Sequence, residues 1–252
     1  MTANEIKPFM KLLSGESGKI IRSYFRTDIA VEGKADQSPV TIADKKAEEK
    51  MRELIAKEFP GHGIIGEEFG EENPDAEYKW ILDPIDGTKS FICGTVTFGT
   101  LIALTYKGEP IAGVINQPVL GEFLFGDNRI CELNGTPVKI REAKNLDQCV
   151  LLTTDHLNIE KYQDIEKFNN LTKKVKLYRN WGDCYGYYLL ATGYADIMID
   201  PVMSIWDTMA LVPVIRGAGG SITDYSGKDV LKGNSVIAAK PEILKQVLEI
   251  LN

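Results

Sequence analysis

The sequence predicts a protein of mixed helices and strands, either one large α/β or α+β domain or two lobes that share an interface. Three observations carry this prediction: two amphipathic helices open the chain, an antiparallel run of strands follows, and strands alternate with helices in the second half. The 252 residues are enough to bury a full hydrophobic core. A composition of 44% hydrophobic and 26% charged residues predicts an ordinary soluble globular protein.

The first two predicted elements are helices. Apolar residues recur at helical spacing over residues 5–26, where the segment SGESG predicts a weak point or a kink. A second helix is predicted over residues 43–59, with Pro60 and Gly61 as its stop signal. The short apolar runs GIIG and KWILD follow it, and both fit buried strands.

The next elements are predicted strands. Residues 98–129 contain TFGTLIALTY, IAGVINQPVL and EFLFG, divided by turn signals, which predicts an antiparallel meander. After it, strand-like CVLLTT, KVKLYR, ADIMID, SITD and SVIAA alternate with helices predicted over about 160–171, 183–192 and 205–216 and with a closing helix. We expect these helices to cover a sheet, and we place a soft boundary between two lobes at residues 142–148.

Charge and residue usage exclude several classes of function. A net charge of −7 argues against nucleic acid as the main partner, because a phosphate backbone calls for a basic face. No apolar run is long enough for a transmembrane helix, and MTANEIKPF lacks the features of a signal peptide, so we expect no membrane partner and a cytoplasmic protein. The four cysteines and two histidines share no ligand spacing, so neither a zinc site nor a disulfide framework is expected.

The segment ILDPIDGTKS places two carboxylates, Asp83 and Asp86, three residues apart. The proline between them stiffens the backbone, and Gly87 permits a tight turn. If a helix begins at Thr88, the N–H groups of Gly87 and Thr88 point at a ligand above the turn, which suits phosphate. An Asp-Gly pair between apolar runs is also a strong hairpin signal, so a plain turn explains this segment alone equally well.

Three further carboxylates occupy similar positions. Glu67 directly follows the apolar run IIG, where a strand would hold it rigidly, although an acidic solvated loop is the simpler explanation. Asp207 lies just inside a predicted helix and Asp44 at the start of another. Ser204 and Thr41 stand three residues before them, so helix capping explains both aspartates as well.

Together these acidic residues predict a metal site. Each lies at a strand end or a helix start, where crevices and helix N-termini converge: Asp44, Glu67, Asp83, Asp86 and Asp207. Hard oxygen ligands without histidine or cysteine select Mg²⁺ or Mn²⁺ rather than zinc. Two such ions can polarise a phosphoryl oxygen, ionise a water and stabilise a leaving alkoxide.

The combination of motifs resembles the inositol monophosphatase family of metal-dependent phosphatases. The motifs are GEE at 66–68, LDPIDGT at 82–88 and WD at 206–207, and the resemblance extends over nearly the whole chain through ATGYAD and GAGG. It implies a single phosphatase domain over residues 1–252 with the layered α-β-α-β-α, α+β fold of the inositol monophosphatase/fructose-1,6-bisphosphatase type. It also implies lithium-sensitive, Mg²⁺-dependent hydrolysis of a small phosphomonoester by a homodimer.

Matching positions in this family imply the metal ligands. Glu67, Asp83 and the carbonyl of Ile85 would hold the first Mg²⁺. Asp83, Asp86 and Asp207 would hold the second, and Glu67 would face a third, weaker ion. Mn²⁺ is the expected substitute.

The resemblance also implies catalytic and phosphate-binding residues. Asp44 and Thr88 would orient the attacking water, which makes them catalytic residues together with Glu67. The N–H groups of Gly87 and Thr88 would bind the phosphate.

Within the family, WGDCYGYYLLATGYADIMIDP, DPIDGTKSF and GTLIAL resemble the histidinol-phosphate phosphatase branch. That branch typically reads GGDCYGY, and Trp181 replaces its first glycine. Asp183 and Asp200, with Asp86, are the expected substrate contacts, because carboxylates suit a cationic leaving group such as histidinol. For Asp183, a helix N-cap is the structural alternative.

The resulting hypothesis is a histidinol-phosphate phosphatase of histidine biosynthesis that acts by direct attack of metal-activated water. The alternatives are an inositol-1-phosphate or broad sugar-phosphate phosphatase, and a non-catalytic regulatory protein on the same fold. A phosphatase of the haloacid dehalogenase type needs a D-x-D pattern after a strand, whereas this chain has D-x-x-D with proline between.

Overall fold

The computed structural model describes residues 2–28, 30–33 and 39–252. The nine α-helices within these ranges are α1 (Ala3–Tyr24), α2 (Ile42–Glu58), α3 (Thr88–Ile92), α4 (His156–Tyr162), α5 (Ile165–Thr172), α6 (Asp183–Ala191), α7 (Ile205–Thr208), α8 (Leu211–Gly217) and α9 (Pro241–Leu251). The fifteen β-strands in the same ranges are β1 (Val31–Gly33), β2 (Pro39–Thr41), β3 (Gly63–Gly66), β4 (Gly70–Glu72), β5 (Tyr78–Asp86), β6 (Gly99–Tyr106), β7 (Glu109–Gln117), β8 (Glu122–Gly126), β9 (Cys131–Leu133), β10 (Thr136–Pro137), β11 (Val150–Thr153), β12 (Leu177–Arg179), β13 (Ile197–Asp200), β14 (Ser221–Thr223) and β15 (Val236–Ala239).

The larger sheet has eight strands in the order β10-β9-β8-β7-β6-β5-β3-β4. Only the β3–β5 pair of this sheet is parallel, and β6, β7 and β8 form the predicted meander. Helices α1 and α2 cover one face, where Met10 and Met51 pack with Trp80 and Leu82 in a buried cluster. Burial of their apolar stripes against the sheet is what stabilises these two helices.

Helices α6 and α8 fill the space between the two larger sheets. Tyr187 of α6 and Val214 of α8 share one buried cluster with Leu101 of the eight-stranded sheet and Met198 of the other. At Gly113 in β7, an added Cβ would overlap the carbonyl of Ala210. A glycine is needed there because the backbone that leads into α8 rests directly on the strand.

The second sheet has five strands in the order β12-β11-β13-β15-β14. Its outer face is covered by α4, α5 and α9, with Phe168 and Val247 packed against Ile197 and Ile237. The layers therefore run α-β-α-β-α, which confirms the layered α+β fold that the resemblance implied. The division into two lobes at residues 142–148, between β10 and β11, stays a prediction.

The segment SGESG does not interrupt the first helix, since α1 continues through it without a break, and the predicted kink stays a prediction. The Ser17 hydroxyl donates to the carbonyl of Leu13 at 2.9 Å, so it is satisfied inside the helix rather than in a turn. No helix in the described ranges is long and apolar enough to cross a membrane.

Two helices predicted as single elements are each divided. The helix predicted over 160–171 is α4 followed by α5, because Asp164 accepts bonds from the N–H groups of Glu166 and Lys167 and starts a new helix. The helix predicted over 205–216 is α7 followed by α8. Pro213 explains this break, because it has no N–H for the carbonyl of Met209 and its ring disfavours a continuous helix there.

Candidate active site

Three carboxylates meet at the end of β5. Oxygens of Asp83, Asp86 and Asp207 all lie within 4.8 Å of one another. Asp83 and Asp86 belong to β5, and Asp207 comes from α7, which follows β13 of the other sheet. The sequence signals at DPIDGT and WD therefore do converge in space.

A bulge in β5 explains how both of its aspartates reach this cluster. Asp83 pairs with Leu101 and Asp86 with Gly99, so three steps along β5 match two along β6. Residues three apart in a regular strand point to opposite faces of the sheet. The one extra residue in β5 turns Asp83 and Asp86 to the same side. The plain-hairpin alternative for DPIDGT is wrong, because Gly87 leads into helix α3.

Burial and mutual repulsion make the carboxylates costly to ionise. Burial first, and then the neighbouring Glu67 and Asp86 carboxylates, raise the pKa of Asp83 well above its ordinary value. Burial and the charge of Asp183 raise the pKa of Asp86 in the same direction. Burial raises the pKa of Asp207 to about 6, although a hydrogen bond from the Ser204 N–H opposes the shift.

The cluster fits a divalent cation. The Oδ1 atom of Asp83 is buried and has no hydrogen-bond partner among the described residues, although a buried carboxylate oxygen normally has one. The surrounding donors are hard oxygens, which suit Mg²⁺ or Mn²⁺. A cation would supply the missing partner and offset the repulsion that raises these pKa values.

Glu67 lies beside this cluster, at the turn that follows β3. Its backbone N–H donates to the carbonyl of Leu82 at 3.2 Å, which ties the turn to β5. Its carboxylate is near enough to raise the pKa values of both Asp83 and Asp207. It also lines the larger of the two cavities at this site.

Asp44 contacts two residues, Thr41 and Thr88, with its two carboxylate oxygens. Oδ2 accepts bonds from the Thr41 N–H at 2.8 Å and the Thr41 hydroxyl at 2.6 Å, so the predicted capping box of α2 is present. Oδ1 lies 3.5 Å from the Thr88 hydroxyl, which also lies 3.1 Å from the carbonyl of Ile85. Burial raises the pKa of Asp44, against its hydrogen bonds from Thr41.

Asp183 begins α6 but does not cap it, because Gly182 holds the N-cap position. The N-cap alternative is therefore wrong. The backbone of Asp183 has a φ of 51°, an uncommon conformation for a non-glycine residue. Its carboxylate accepts a bond from the Ser90 hydroxyl at 2.9 Å and lies against Gly87, where an added Cβ would be 2.7 Å from Oδ2.

Asp200 ends β13 and is only 3% exposed. It accepts bonds from the Thr154 N–H at 3.0 Å and the Tyr187 hydroxyl at 2.9 Å. Burial raises its pKa to about 7, and those two bonds oppose the shift. A carboxylate held by two donors is fixed in position.

Backbone donors fix the other two aspartates. Asp86 accepts a bond from the N–H of Cys184, the second residue of α6. Asp207 accepts a bond from the N–H of Ser204 at 2.7 Å, so the capping arrangement predicted for α7 is present. Both aspartates thus join the cluster while they also hold local structure.

Two cavities of about 400 and 130 Å³ adjoin the acidic cluster. Both are lined by Thr154, Asp155, Asn158, Asp183 and Asp207. The sequence interpretation missed Thr154, Asp155 and Asn158. The available signal was that Thr154 ends the strand-like run CVLLTT and that Asp155 and Asn158 follow it, at the same end of a sheet strand as the other site residues.

Comparison with known proteins gives a consistent picture. The sequence model of the inositol monophosphatase family matches residues 3–252. A "bifunctional phosphatase IMPL2, chloroplastic" from Arabidopsis thaliana is 46% identical, over 95% of this chain and 72% of that protein. A histidinol-phosphatase from Chlorobaculum parvum is 38% identical, over 90% of this chain and 89% of that protein. A solved inositol monophosphatase from Zymomonas mobilis has a TM-score of 0.86 and 36% identity, with 98% of both chains covered.

Proposed function

Because the chain belongs to the inositol monophosphatase family and is therefore a metal-dependent phosphomonoesterase, we propose that its substrate is L-histidinol phosphate. The observation that carries this proposal is the set of carboxylates around the two cavities. Asp155, Asp183 and Asp200 line the cavities beside the acidic cluster. They suit histidinol, whose amine is positively charged and whose imidazole can also take up a proton, better than a neutral polyol.

The relatives support this choice of substrate. The proteins from Chlorobaculum parvum and Mycobacterium tuberculosis are both named histidinol-phosphatases. The match to the Chlorobaculum parvum protein extends along nearly the full length of both chains.

The residues that would hold Mg²⁺, or Mn²⁺ in its place, are those of the acidic cluster and its neighbours. Glu67, Asp83 and the carbonyl of Ile85 form one set. Asp83, Asp86 and Asp207 would form the second set, and Glu67 would also face a third, weaker ion. When bound, the cations supply Lewis-acid stabilisation of phosphoryl charge and lower the pKa of a water molecule.

The pair of Asp44 and Thr88 would handle the proton of the attacking water. The Thr88 hydroxyl lies between the Asp44 carboxylate and the carbonyl of Ile85, within 3.5 Å of each. It can therefore accept a hydrogen bond from water and pass a proton to Oδ1 of Asp44. The raised pKa of Asp44 suits this role, because a base that titrates closer to neutral pH accepts a proton more readily.

The remaining residues would bind the two ends of the substrate. The N–H groups of Gly87 and Thr88 stand at the start of α3 and would donate to the phosphate. Asp86 and Asp183 would face the leaving group. Asp200 would contact the leaving group from the lining of the smaller cavity, where hydrogen bonds from Thr154 and Tyr187 hold its carboxylate fixed.

A substrate screen tests this proposal. We expect phosphate release from histidinol phosphate with Mg²⁺, and a higher kcat/KM for it than for inositol 1-phosphate, fructose bisphosphate or a phosphoadenosine. A strong preference for inositol phosphate would reject the proposed substrate. A phospho-aspartate trapped during turnover would reject direct attack by water.

Inositol-1-phosphate or broad sugar-phosphate hydrolysis is the second candidate. The observation in its favour is the Arabidopsis thaliana relative, whose name describes a bifunctional phosphatase. A non-catalytic regulatory role is a weaker alternative. Mg²⁺-dependent phosphate release that Asp83→Asn or Asp207→Asn abolishes would exclude it.

Assembly, lithium sensitivity and location are further parts of the proposal. We expect a homodimer, which light scattering coupled to size-exclusion chromatography would measure. Lithium should inhibit phosphate release. A cytoplasmic location is proposed for this chain, whereas the name of the Arabidopsis thaliana relative places that protein in the chloroplast, and fractionation of cells decides between the two.

A further inference from the structure

Glu48 is a buried carboxylate on α2 that does not belong to the acidic cluster. Its side chain is 0% exposed. It accepts three bonds, from the N–H of Glu68 at 2.8 Å, the N–H of Phe69 at 3.2 Å and Nε of Arg52 at 2.8 Å. A buried charge is tolerated only with such partners, so this carboxylate is committed to the turn at residues 67–69.

Glu67 is the first residue of this turn, which joins β3 to β4. The N–H of Glu67 is held by Leu82 of β5, and the next two N–H groups are held by Glu48. The backbone N–H groups of residues 67, 68 and 69, which carry and follow the Glu67 side chain, are therefore all held by hydrogen bonds. Two of the three depend on a single carboxylate.

Gly66 shows how closely Glu48 approaches this turn. A Cβ at Gly66 would overlap the Glu48 carboxylate. Gly66 ends β3 and pairs with Gly70 across the turn. Because Gly66 has no side chain, the Glu48 carboxylate can pack against the backbone of the residue that immediately precedes Glu67.

Arg52 supports Glu48 and holds the far end of the turn. Its guanidinium donates to Glu48 and to the carbonyl of Gly70, and it lies 5.9 Å from the centre of the Phe69 ring. Asp44, Glu48 and Arg52 are spaced four residues apart, so they share one side of α2. The same side of the helix therefore contacts Thr88 through Asp44 and the Glu67 turn through Glu48.

We infer that Glu48, supported by Arg52, is a positioning residue that sets the affinity for Mg²⁺ by fixing the turn that carries Glu67. This inference rests on the proposed function only in that Glu67 binds the cation. Glu48 does not itself bind the cation, since its two oxygens are directed to Arg52 and to the backbone of the turn.

Calorimetric titration of EDTA-stripped, substrate-free protein with Mg²⁺ tests the inference. In Glu48→Gln, one acceptor oxygen becomes an NH₂ group that faces other donors, so part of the turn is released. We expect Kd for Mg²⁺ to rise by about 10- to 100-fold, the usual cost of losing a residue that orients a metal ligand. Saturating Mg²⁺ should restore most of kcat. The titration is interpreted only where circular dichroism shows the cation-free variant to be folded, because unfolding would itself weaken apparent Mg²⁺ binding.

The matched control is Glu53→Gln on the same helix. Its side chain is 66% exposed and pairs with Lys50, so this variant should bind Mg²⁺ as the unaltered protein does. Wild-type Mg²⁺ affinity in a folded Glu48→Gln protein would overturn the inference, even if its melting temperature fell. If Glu48→Gln does not fold, Arg52→Lys is titrated instead. This variant keeps a positive charge beside Glu48 but loses the hydrogen bond to the Gly70 carbonyl, so the inference requires a raised Kd for Mg²⁺ here too.

A third variant separates failure of the inference from failure of the proposed function. Glu67→Gln should itself weaken Mg²⁺ binding. If it does and Glu48→Gln does not, only the positioning role is rejected. If Glu67→Gln binds Mg²⁺ with unchanged affinity, the proposed role of Glu67 as a ligand is rejected, and the inference with it.

Discussion

At Asp83, burial and charge repulsion act in the same direction. The residue is 2% exposed, one carboxylate oxygen has no hydrogen-bond partner in the part of the chain that the structure describes, and the surrounding carboxylates disfavour its ionised form. A residue that lowers the stability of the cation-free fold is retained only where it serves another purpose. We propose that this purpose is cation binding.

Asp83→Asn should separate stability from activity. The amide removes a buried charge, so we expect a higher melting temperature than that of the unaltered protein when both are measured in EDTA at pH 7.5. Phosphate release with Mg²⁺ should fall by at least about 100-fold, the upper range for losing even an outer partner of a metal ligand. The exposed Asp75→Asn serves as the control for both measurements, and a lower melting temperature for Asp83→Asn in EDTA would contradict the argument.

Asp200 should make the stability of the cation-free protein depend on pH. Its pKa is about 7 in the folded chain and near the ordinary 3.8 in the unfolded chain. Between these values the folded state binds the proton more tightly, so the free energy of unfolding rises as pH falls from about 7 towards 4. One group contributes at most about 1.4 kcal/mol per pH unit.

Urea unfolding in EDTA at pH 7.5, 6.5 and 5.5 measures this effect. Other groups titrate as well, so the quantity of interest is the difference between the unaltered protein and Asp200→Asn. The variant should show a shallower rise of unfolding free energy towards low pH. Equal slopes for the two proteins would show that Asp200 titrates near its ordinary pKa.

At the scale of elements, helix starts bring several site residues into position. Helix α2 begins at a capping box that also presents Asp44 to Thr88, and α7 begins with the bond between Ser204 and Asp207. The sequence alone left capping and catalysis as alternatives for these aspartates. In the structure one carboxylate oxygen of Asp44 caps the helix while the other contacts Thr88, so the two explanations are compatible.

Thr41→Val tests this double use of the α2 cap. Loss of the Thr41 hydroxyl should cost about 1 kcal/mol of unfolding free energy, as for other N-caps. Because the hydroxyl also holds Asp44 at 2.6 Å, kcat should fall as well. The control is Asp164→Ala, which removes the N-cap of α5 in the outer layer. It should lower the unfolding free energy by a similar amount and leave kcat unchanged. Equal kcat values in the two variants would contradict the prediction.

The length of an element and the repeat of its apolar residues decide whether it could be predicted from the sequence. The long helices and the strands of the meander have enough residues to show a repeat, so their positions were predicted to within a few residues. Strands β4, β9 and β10 have two or three residues each and carry no period. The β5 bulge also depends on pairing with β6, which no local pattern records.

At the scale of the whole molecule, packing between the helix and sheet layers decides which chemical groups meet solvent. The sequence predicted that the four cysteines form no framework, and in the structure all four are free thiols. Cys93 is exposed, whereas the other three are buried. Burial raises the pKa values of Cys131 and Cys149 to about 12 and that of Cys184 well above its ordinary value.

Ellman's reagent should therefore modify one thiol per chain in the native protein. The thiolate is the reactive form, so buried thiols with raised pKa values react slowly. Four thiols should react in urea, and Cys93→Ser should reduce the native count to zero. Rapid reaction of a second thiol in the native protein would show that one of the layers opens readily.

The acidic cluster draws its members from both large sheets. Asp83 and Asp86 lie in the last four residues of β5 in the eight-stranded sheet, while Asp207 follows a strand of the five-stranded sheet. A cation shared by these carboxylates would act as a reversible cross-link, and its binding energy would add to the cooperativity of the whole fold. Mass action sets the size of the effect: an ion at 100 times its Kd stabilises the folded state by about 2.7 kcal/mol. The melting temperature should therefore rise with Mg²⁺ concentration, and Asp207→Asn should abolish most of that rise.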